Sequence, residues 1–263
     1  MIALRQRRAR RRHQFHLTHQ PVVLERLPAD FSGLRVAHLS DIHHGLYTKL
    51  EEVERAVELV NRMEPDLVAL TGDFVSNSPN YIRPVARALG KLRAKEGVFA
   101  VLGNHDYRVG AECVSAALEA NGVEVLRNRH VTLARNGSRL TLAGVDDLRY
   151  NADDLRRALR GAAPDAPTIL LCHNPAVLPL AAARGIDLVL AGHTHGGQVD
   201  APRLRALLSA HGVRLPWAHG LDRVGETQIY ISRGIGTVLV PVRLRCPAEI
   251  PVLRLEAAHT QGG

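Results

Sequence analysis

Apolar positions along the chain fall into two rhythms. Short unbroken apolar runs alternate with stretches in which apolar residues recur every three or four positions. Leu34–Leu39 reads as a strand. From Lys49 to Glu64 the apolar residues Leu50, Val53, Val57 and Val60 have the spacing of an amphipathic helix, and Pro65 stops it. Asp66–Leu70 is the next strand, Ile82–Lys95 the second helix and Val98–Leu102 the third strand. Ala111–Ala120 is a third helix, closed by Asn121-Gly122. This βαβαβ order predicts a sheet with a parallel portion, covered by helices.

The second half is richer in strands. Val123–Leu126, Val131–Ala134 and Arg139–Ala143 are short, and Asn136-Gly137 between the last two is a hairpin signal. A helix is expected near Ala152–Leu159. Strands follow at Thr168–Cys172, Asp187–Ala191, Gln228–Ser232 and Pro251–Leu255. The pattern predicts an α/β chain with two sheets packed face to face and helices outside. No apolar run approaches the ~18 residues of a membrane-spanning helix.

Charge refines the domain picture. The net charge of +8 is concentrated at the start, where residues 1–12 hold six arginines and no acid. The remainder is nearly balanced, with 28 basic and 26 acidic side chains. Residues 1–30 therefore read as a basic arm, disordered or ending in a first edge strand, and residues 31–263 as one domain. Such an arm suits reversible contact with an anionic membrane. Nucleic acid is not an expected partner, because aromatics make up only 4% and the body carries no basic stripe. The three cysteines form no CxxC pair, which excludes a disulfide framework and a cysteine-based zinc site. Cysteine usage points to a reducing, cytoplasmic placement, at most peripheral at the inner membrane face.

The candidate chemistry stands at the strand ends. The first strand runs into Ser40-Asp41-Ile42-His43, the second into Thr71-Gly72-Asp73 and the third into Gly103-Asn104-His105-Asp106. The Thr168 strand runs into His173, and the Asp187 strand into Gly192-His193-Thr194-His195. Ligand sites in open α/β sheets form outside the carboxyl ends of strands, so these groups can share one pocket. A donor set of oxygen and nitrogen without sulfur suits Mn, Fe or Zn, with Mn favoured, better than Ca or Mg. Asp41 and His43 are two apart, as are His193 and His195, and in extended backbone each pair projects to one side. Asp146-Asp147, by contrast, reads as a turn of solvated charges, His38 as a core histidine and Trp217 as packing.

Together these blocks resemble the signature of the calcineurin-like metallophosphoesterases. Within them, Leu39–His43, His193–Gln198 and the Arg233-Gly234-Ile235-Gly236…Arg243…Glu249-Ile250 stretch are most similar to a bacterial membrane- or cell-wall-associated phosphodiesterase group. The resemblance implies a four-layer α/β/β/α sandwich of two mixed sheets with two divalent metal ions at one edge. It implies that Asp41, His43 and His195 hold one metal, that Asn104, His173 and His193 hold the other, and that Asp73 bridges them. His105 would contact the phosphoryl group or protonate the leaving group, Asp106 would orient His105, and Arg243 would touch a phosphate. The implied reaction is hydrolysis of a phosphoester or phosphoanhydride bond by a metal-bridging hydroxide. The substrate would be a phosphorylated small molecule or a lipid-linked one. A UDP-diacylglucosamine pyrophosphohydrolase-like lipid enzyme and a non-catalytic scaffold of the same fold are the alternatives.

Overall fold

The computed structural model describes residues 15–198, 219–238 and 241–258. Two six-stranded mixed sheets form its centre. The first has the order β1-β12-β2-β3-β4-β5, with β1 at His16–Leu24, β12 at Glu249–Ala257, β2 at Arg35–Leu39, β3 at Leu67–Thr71, β4 at Val98–Val101 and β5 at Glu124–Val125. Strands β2 to β5 run parallel; β12 is antiparallel to β2 and parallel to β1. The second sheet has the order β10-β11-β9-β8-β7-β6. Here β10 is Gly220–Val224, β11 Thr227–Ile231, β9 Leu188–Ala191, β8 Thr168–Leu171, β7 Ser138–Gly144 and β6 Arg129–Arg135. Strands β7, β8, β9 and β11 are parallel, with antiparallel hairpin partners at both edges.

Side-chain alternation builds the layers. Along β2 and β3, Ala37, Leu39, Val68 and Leu70 pack with the helices α1 (Leu50–Arg62), α2 (Ile82–Leu89) and α3 (Asn104–Glu119). Val36, Leu67 and Ala69 point the other way, into a core shared with Ile169, Leu171, Leu188 and Leu190 of the second sheet. The outer face of that sheet is covered by α4 (Leu155–Ala158) and α5 (Leu178–Ala183). The result is helices, sheet, sheet, helices, as the sequence predicts.

Local chemistry sets the helix ends. In α1 the Glu52 carboxylate accepts the Lys49 N–H at 2.8 Å, while Val53, Ala56, Val57 and Val60 form the buried stripe. Helix α2 stops at Leu89, short of the expected Lys95, because Gly90 interrupts it. Helix α3 begins seven positions earlier than the apolar period indicates, with a break at Gly110 (φ 133°). Its first turn is Asn104-His105-Asp106, whose polar side chains carry no apolar period. The Asn136-Gly137 turn joins β6 to β7 with positive φ at both residues (48° and 90°), as a two-residue hairpin requires. The stretch read as an arm contributes β1, which lies at the edge of the first sheet beside β12.

Candidate metal centre

All the candidate ligands follow the carboxyl ends of parallel strands: Asp41 and His43 after β2, Asp73 after β3, Asn104 after β4, His173 after β8, and His193 and His195 after β9. Both sheets therefore contribute, and the ligands meet at the seam between them. The expected extended pairs are not extended. Asp41, His43, Asp73, His193 and His195 all have positive φ, between 47° and 72°. Left-handed backbone is unfavourable for residues with a side chain and concentrates at functional sites. The chain turns sharply here, and these turns rather than strand alternation aim the side chains.

The nitrogen and oxygen atoms converge closely. His43 Nε2 lies 3.1 Å from His195 Nε2, and His195 Nε2 lies 3.3 Å from Asp41 Oδ1. On the other side His193 Nδ1 lies 3.1 Å from His173 Nε2. Asp73 Oδ2 stands between the two groups, 3.3 Å from both His43 Nε2 and His173 Nε2. Donor atoms of Asp41, His43 and His195 lie within 4.8 Å of one another, as do those of Asp41, Asp73 and His173. Asn104 Oδ1 is buried with no hydrogen-bond partner among the described residues. Imidazole nitrogens facing each other at hydrogen-bond distance, beside an unpaired amide oxygen and two buried carboxylates, fit divalent cations. Divalent cations held there would give these donor atoms partners.

Electrostatics point the same way. Burial pushes the Asp73 carboxyl up, but the charge of His173 and its hydrogen bond outweigh that and hold Asp73 well below the usual range. Burial likewise pushes Asp41 up, and the fields of His195 and His173 bring it below its ordinary value. Burial drives the His43 ring down to about 3 despite the nearby carboxylates, so it is a neutral donor. Burial lowers His173, but Asp73 outweighs that and holds the ring up at about 10 while no cation is present, so a cation taken at Nε2 would displace a proton. The Nδ1–H of His173 donates to the Thr71 carbonyl at 2.7 Å, which fixes its ring and turns Nε2 to the cluster.

Close approach of backbone and carboxylates depends on glycine at two positions. A Cβ on Gly103 would stand 2.3 Å from Asp73 Oδ1, and one on Gly192 would stand 1.8 Å from Ser40 Oγ and 2.3 Å from Asp41 Oδ2. Ser40 Oγ donates to Asp41 Oδ2 at 2.7 Å, and the His193 N–H donates to the same carboxylate at 3.0 Å. Ser40 and Thr71 are supporting residues that the strand-end reading passed over.

His105 lies beside the cluster, edge-on to His43 with ring centroids 4.6 Å apart. Its N–H donates to Asp73 Oδ1 at 2.8 Å, and its Nδ1 is 2.7 Å from the Ser76 carbonyl. A ring nitrogen of His105 also falls within 4.8 Å of donor atoms of His43 and Asp73. Arg108 Nη2, exposed, shares the Ser76 carbonyl at 2.8 Å.

Asp106 and Arg243 both spend their side chains on backbone groups. The Asp106 carboxylate does not reach the His105 ring. Its Oδ2 accepts the N–H groups of Asp73 (2.8 Å) and Gly103 (2.9 Å), and its Oδ1 those of Phe74 (2.9 Å) and Val75 (3.4 Å). From the first turn of α3 its short side chain reaches back onto backbone, so it ties the Asp73 loop to the start of that helix. Burial and then the Asp73 charge push its carboxyl up to about 7, against donors that favour the anion. Arg243 spends its guanidinium on carbonyls: Nε on Gly236, Nη2 on Arg233 (2.8 Å), Gly234 (3.1 Å) and Gly236, and Nη1 on Cys246. It staples the 233–236 loop, whose Ile235 and Gly236 N–H groups donate to the Ser40 and Asp41 carbonyls.

The Asp146-Asp147 pair is not solvated either; both residues are buried, Asp146 against Arg127 Nε at 3.0 Å. His38 is buried, with Nε2 2.8 Å from Thr71 Oγ1. Trp217 and the arginines of residues 5–12 lie outside the described residues.

Residues 34–197 match the family model of the calcineurin-like phosphoesterases. The chain belongs to this family. A transmembrane protein with a metallophosphoesterase domain from Bos taurus is 36% identical over 254 residues, covering 90% of this chain and 56% of that protein. This metallophosphoesterase thus spans little more than half the length of that relative. The Bacillus subtilis metallophosphoesterase YkuE is 30% identical over 251 residues, covering 94% of this chain and 87% of YkuE. The crystal structure of TT1561 from Thermus thermophilus has a similar fold, with a TM-score of 0.50 at 16% identity over 77% of this chain and 90% of that one. Family and buried His/Asp cluster together imply divalent metal at this site.

The cytoplasmic placement expected from cysteine usage is corrected by the first of these relatives, which is named a transmembrane protein. Among the described residues no helix is long and apolar enough to cross a membrane. Cysteine count and apolar run length do not fix a compartment for this chain.

Proposed function

We propose that this metallophosphoesterase hydrolyses phosphoester or phosphoanhydride bonds of a phosphorylated small molecule or lipid-linked substrate, with two divalent cations, Mn first among Mn, Fe and Zn. Asp41, His43 and His195 would hold one, Asn104, His173 and His193 the other, with Asp73 common to both. The observation that carries this reading is Asp73 Oδ2 equidistant, at 3.3 Å, from one imidazole of each group. Two bound cations would supply positive charge to phosphoryl oxygens and acidify a water towards neutrality.

The chain's own residues do the rest. The N-terminal turn of α3 presents Asn104 and His105 with the positive end of the helix dipole towards an incoming phosphate. His105, its Nδ1 turned to the Ser76 carbonyl, keeps Nε2 free to touch a phosphoryl oxygen or protonate the leaving group. The six arginines of residues 1–12 support reversible attraction to an anionic lipid surface.

The test is hydrolysis of bis-(p-nitrophenyl) phosphate by the Mn-loaded protein, followed by monoester, diester and pyrophosphate-linked lipid substrates. Asp73→Asn should abolish turnover. His105→Asn should lower kcat about 10²–10⁴-fold while leaving metal content intact. Full activity of Asp73→Asn after metal stripping would overturn the reading.

A further inference from the structure

Asp147 is a buried carboxylate without a visible purpose. It follows β7, and its Oδ1 accepts the Tyr150 N–H at 3.2 Å, capping the short turn Leu148–Tyr150. Its Oδ2 is buried with no hydrogen-bond partner among the described residues, and the residue is 1% exposed. The preceding Asp146 is paired with Arg127, whereas no ion pair among the described residues reaches Asp147. A carboxylate oxygen in that condition is costly unless positive charge stands near it.

Its surroundings identify that charge. Strand β7 lies beside β8, with Gly144 opposite Leu171 and the Val145 N–H donating to the Leu171 carbonyl at 3.1 Å. Asp147 therefore leaves the sheet next to the strand that delivers His173. The side-chain charges that act on it most are those of His173 and Asp73.

The proposed ligand set is lopsided in charge. The group of Asp41, His43 and His195 has a carboxylate of its own. The group of Asn104, His173 and His193 contains none and only shares Asp73. Two divalent cations would then bring four positive charges to two carboxylates, with the deficit on the Asn104 side. Resting on the two-cation reading above, we propose that Asp147 is the counter-charge of the cation held by Asn104, His173 and His193, and sets the affinity of that half of the site. Asp147 belongs to none of the groups whose donor atoms lie within 4.8 Å of one another, so it acts on that cation without being its ligand.

Asp147→Asn separates this role from a structural one, because asparagine caps a turn as well as aspartate does and only the charge is lost. Mn²⁺ is titrated into metal-free wild-type and variant protein by calorimetry and by electron paramagnetic resonance, and both are melted in chelator. Wild type should take up two Mn²⁺. In the variant one of the two affinities should fall about 10–100-fold, the effect of losing a charged group behind metal ligands, while the other is unchanged. The Mn²⁺-induced rise in Tm should shrink, and the Tm in chelator should not fall, since an unpaired buried charge has been removed. Asp147→Ser, with another capping side chain, should behave the same way. Unchanged affinities for both ions in both variants would overturn the proposal and leave Asp147 as a turn cap. A wild-type protein that takes up fewer than two Mn²⁺ would instead fail the two-cation reading, and the proposal with it.

Discussion

Asp106 offers a sharp test of how this site is held. Its two carboxylate oxygens each accept two backbone N–H groups, and the residue is fully buried. In Asp106→Asn one oxygen becomes an NH2 group that faces two N–H donors whichever way the amide turns. Hydrogen bonds to a charged group contribute about 1.5–3 kcal/mol each, so losing two costs about 3–6 kcal/mol. That is a large share of the ~5–15 kcal/mol that stabilises a typical domain. At about 2–4 °C per kcal/mol for a chain of this size, Tm should drop by about 6–24 °C. The assay is thermal unfolding by circular dichroism near pH 8, above the raised value of about 7 for the wild-type carboxyl, with Mn²⁺ uptake and phosphodiester hydrolysis measured on the same samples. Uptake and turnover should fall together with Tm, because Asp73 hangs from the same carboxylate. A variant that melts within about 2 °C of wild type yet is inactive would refute the reasoning. The carboxylate would then act on His105, as the family resemblance implies.

Three further outcomes are expected. His38 is fully buried, and burial holds its ring down to about 3 from an ordinary 6.5, so the fold binds fewer protons there than the unfolded chain. Its contribution is complete above pH ~6.5 and is lost as pH falls towards 3, by up to about 1.4 kcal/mol per unit. Tm against pH for His38→Gln should therefore be flatter between about pH 6 and 4, and an unaltered slope would mean the ring titrates normally. Gly192→Ala would drive a methyl into Ser40 and Asp41, costing about 1–3 kcal/mol and displacing a candidate ligand; wild-type Mn²⁺ uptake and Tm would contradict that packing. Arg243→Lys replaces a five-donor fork by a point charge that cannot serve four carbonyls, so Tm should fall by several degrees and Mn²⁺ should bind more weakly beside Asp41. A raised KM at unchanged Tm would instead mark Arg243 as a phosphate contact.

Much of this molecule is legible in the chain because its central strands are buried on both faces. Leu67–Thr71, Thr168–Leu171 and Leu188–Ala191 are unbroken buried runs, and each delivers a chemically distinctive residue at its end. What the chain conceals is set by tertiary context. Strand β10 is exposed along nearly all its length, so no apolar run announces it. The first turn of α3 is polar because it faces the site. The left-handed turns at Asp41 and His193 carry side chains, where sequence reasoning expects glycine. Asp106, Asp147 and Arg243 are charged residues whose roles depend on which backbone groups come near them, and spacing along the chain carries no record of that.

The position of β12 has a consequence for how the protein is made. This strand, Glu249–Ala257, is synthesised after all the other described strands, yet it lies inside the first sheet between β1 and β2. Until it leaves the ribosome, those two strands present bare edges to any neighbouring polypeptide, and His16–Leu24 has nothing to pair with. A nascent chain of this kind gains from a chaperone that shields those edges, and premature termination before Glu249 would release a species prone to aggregate.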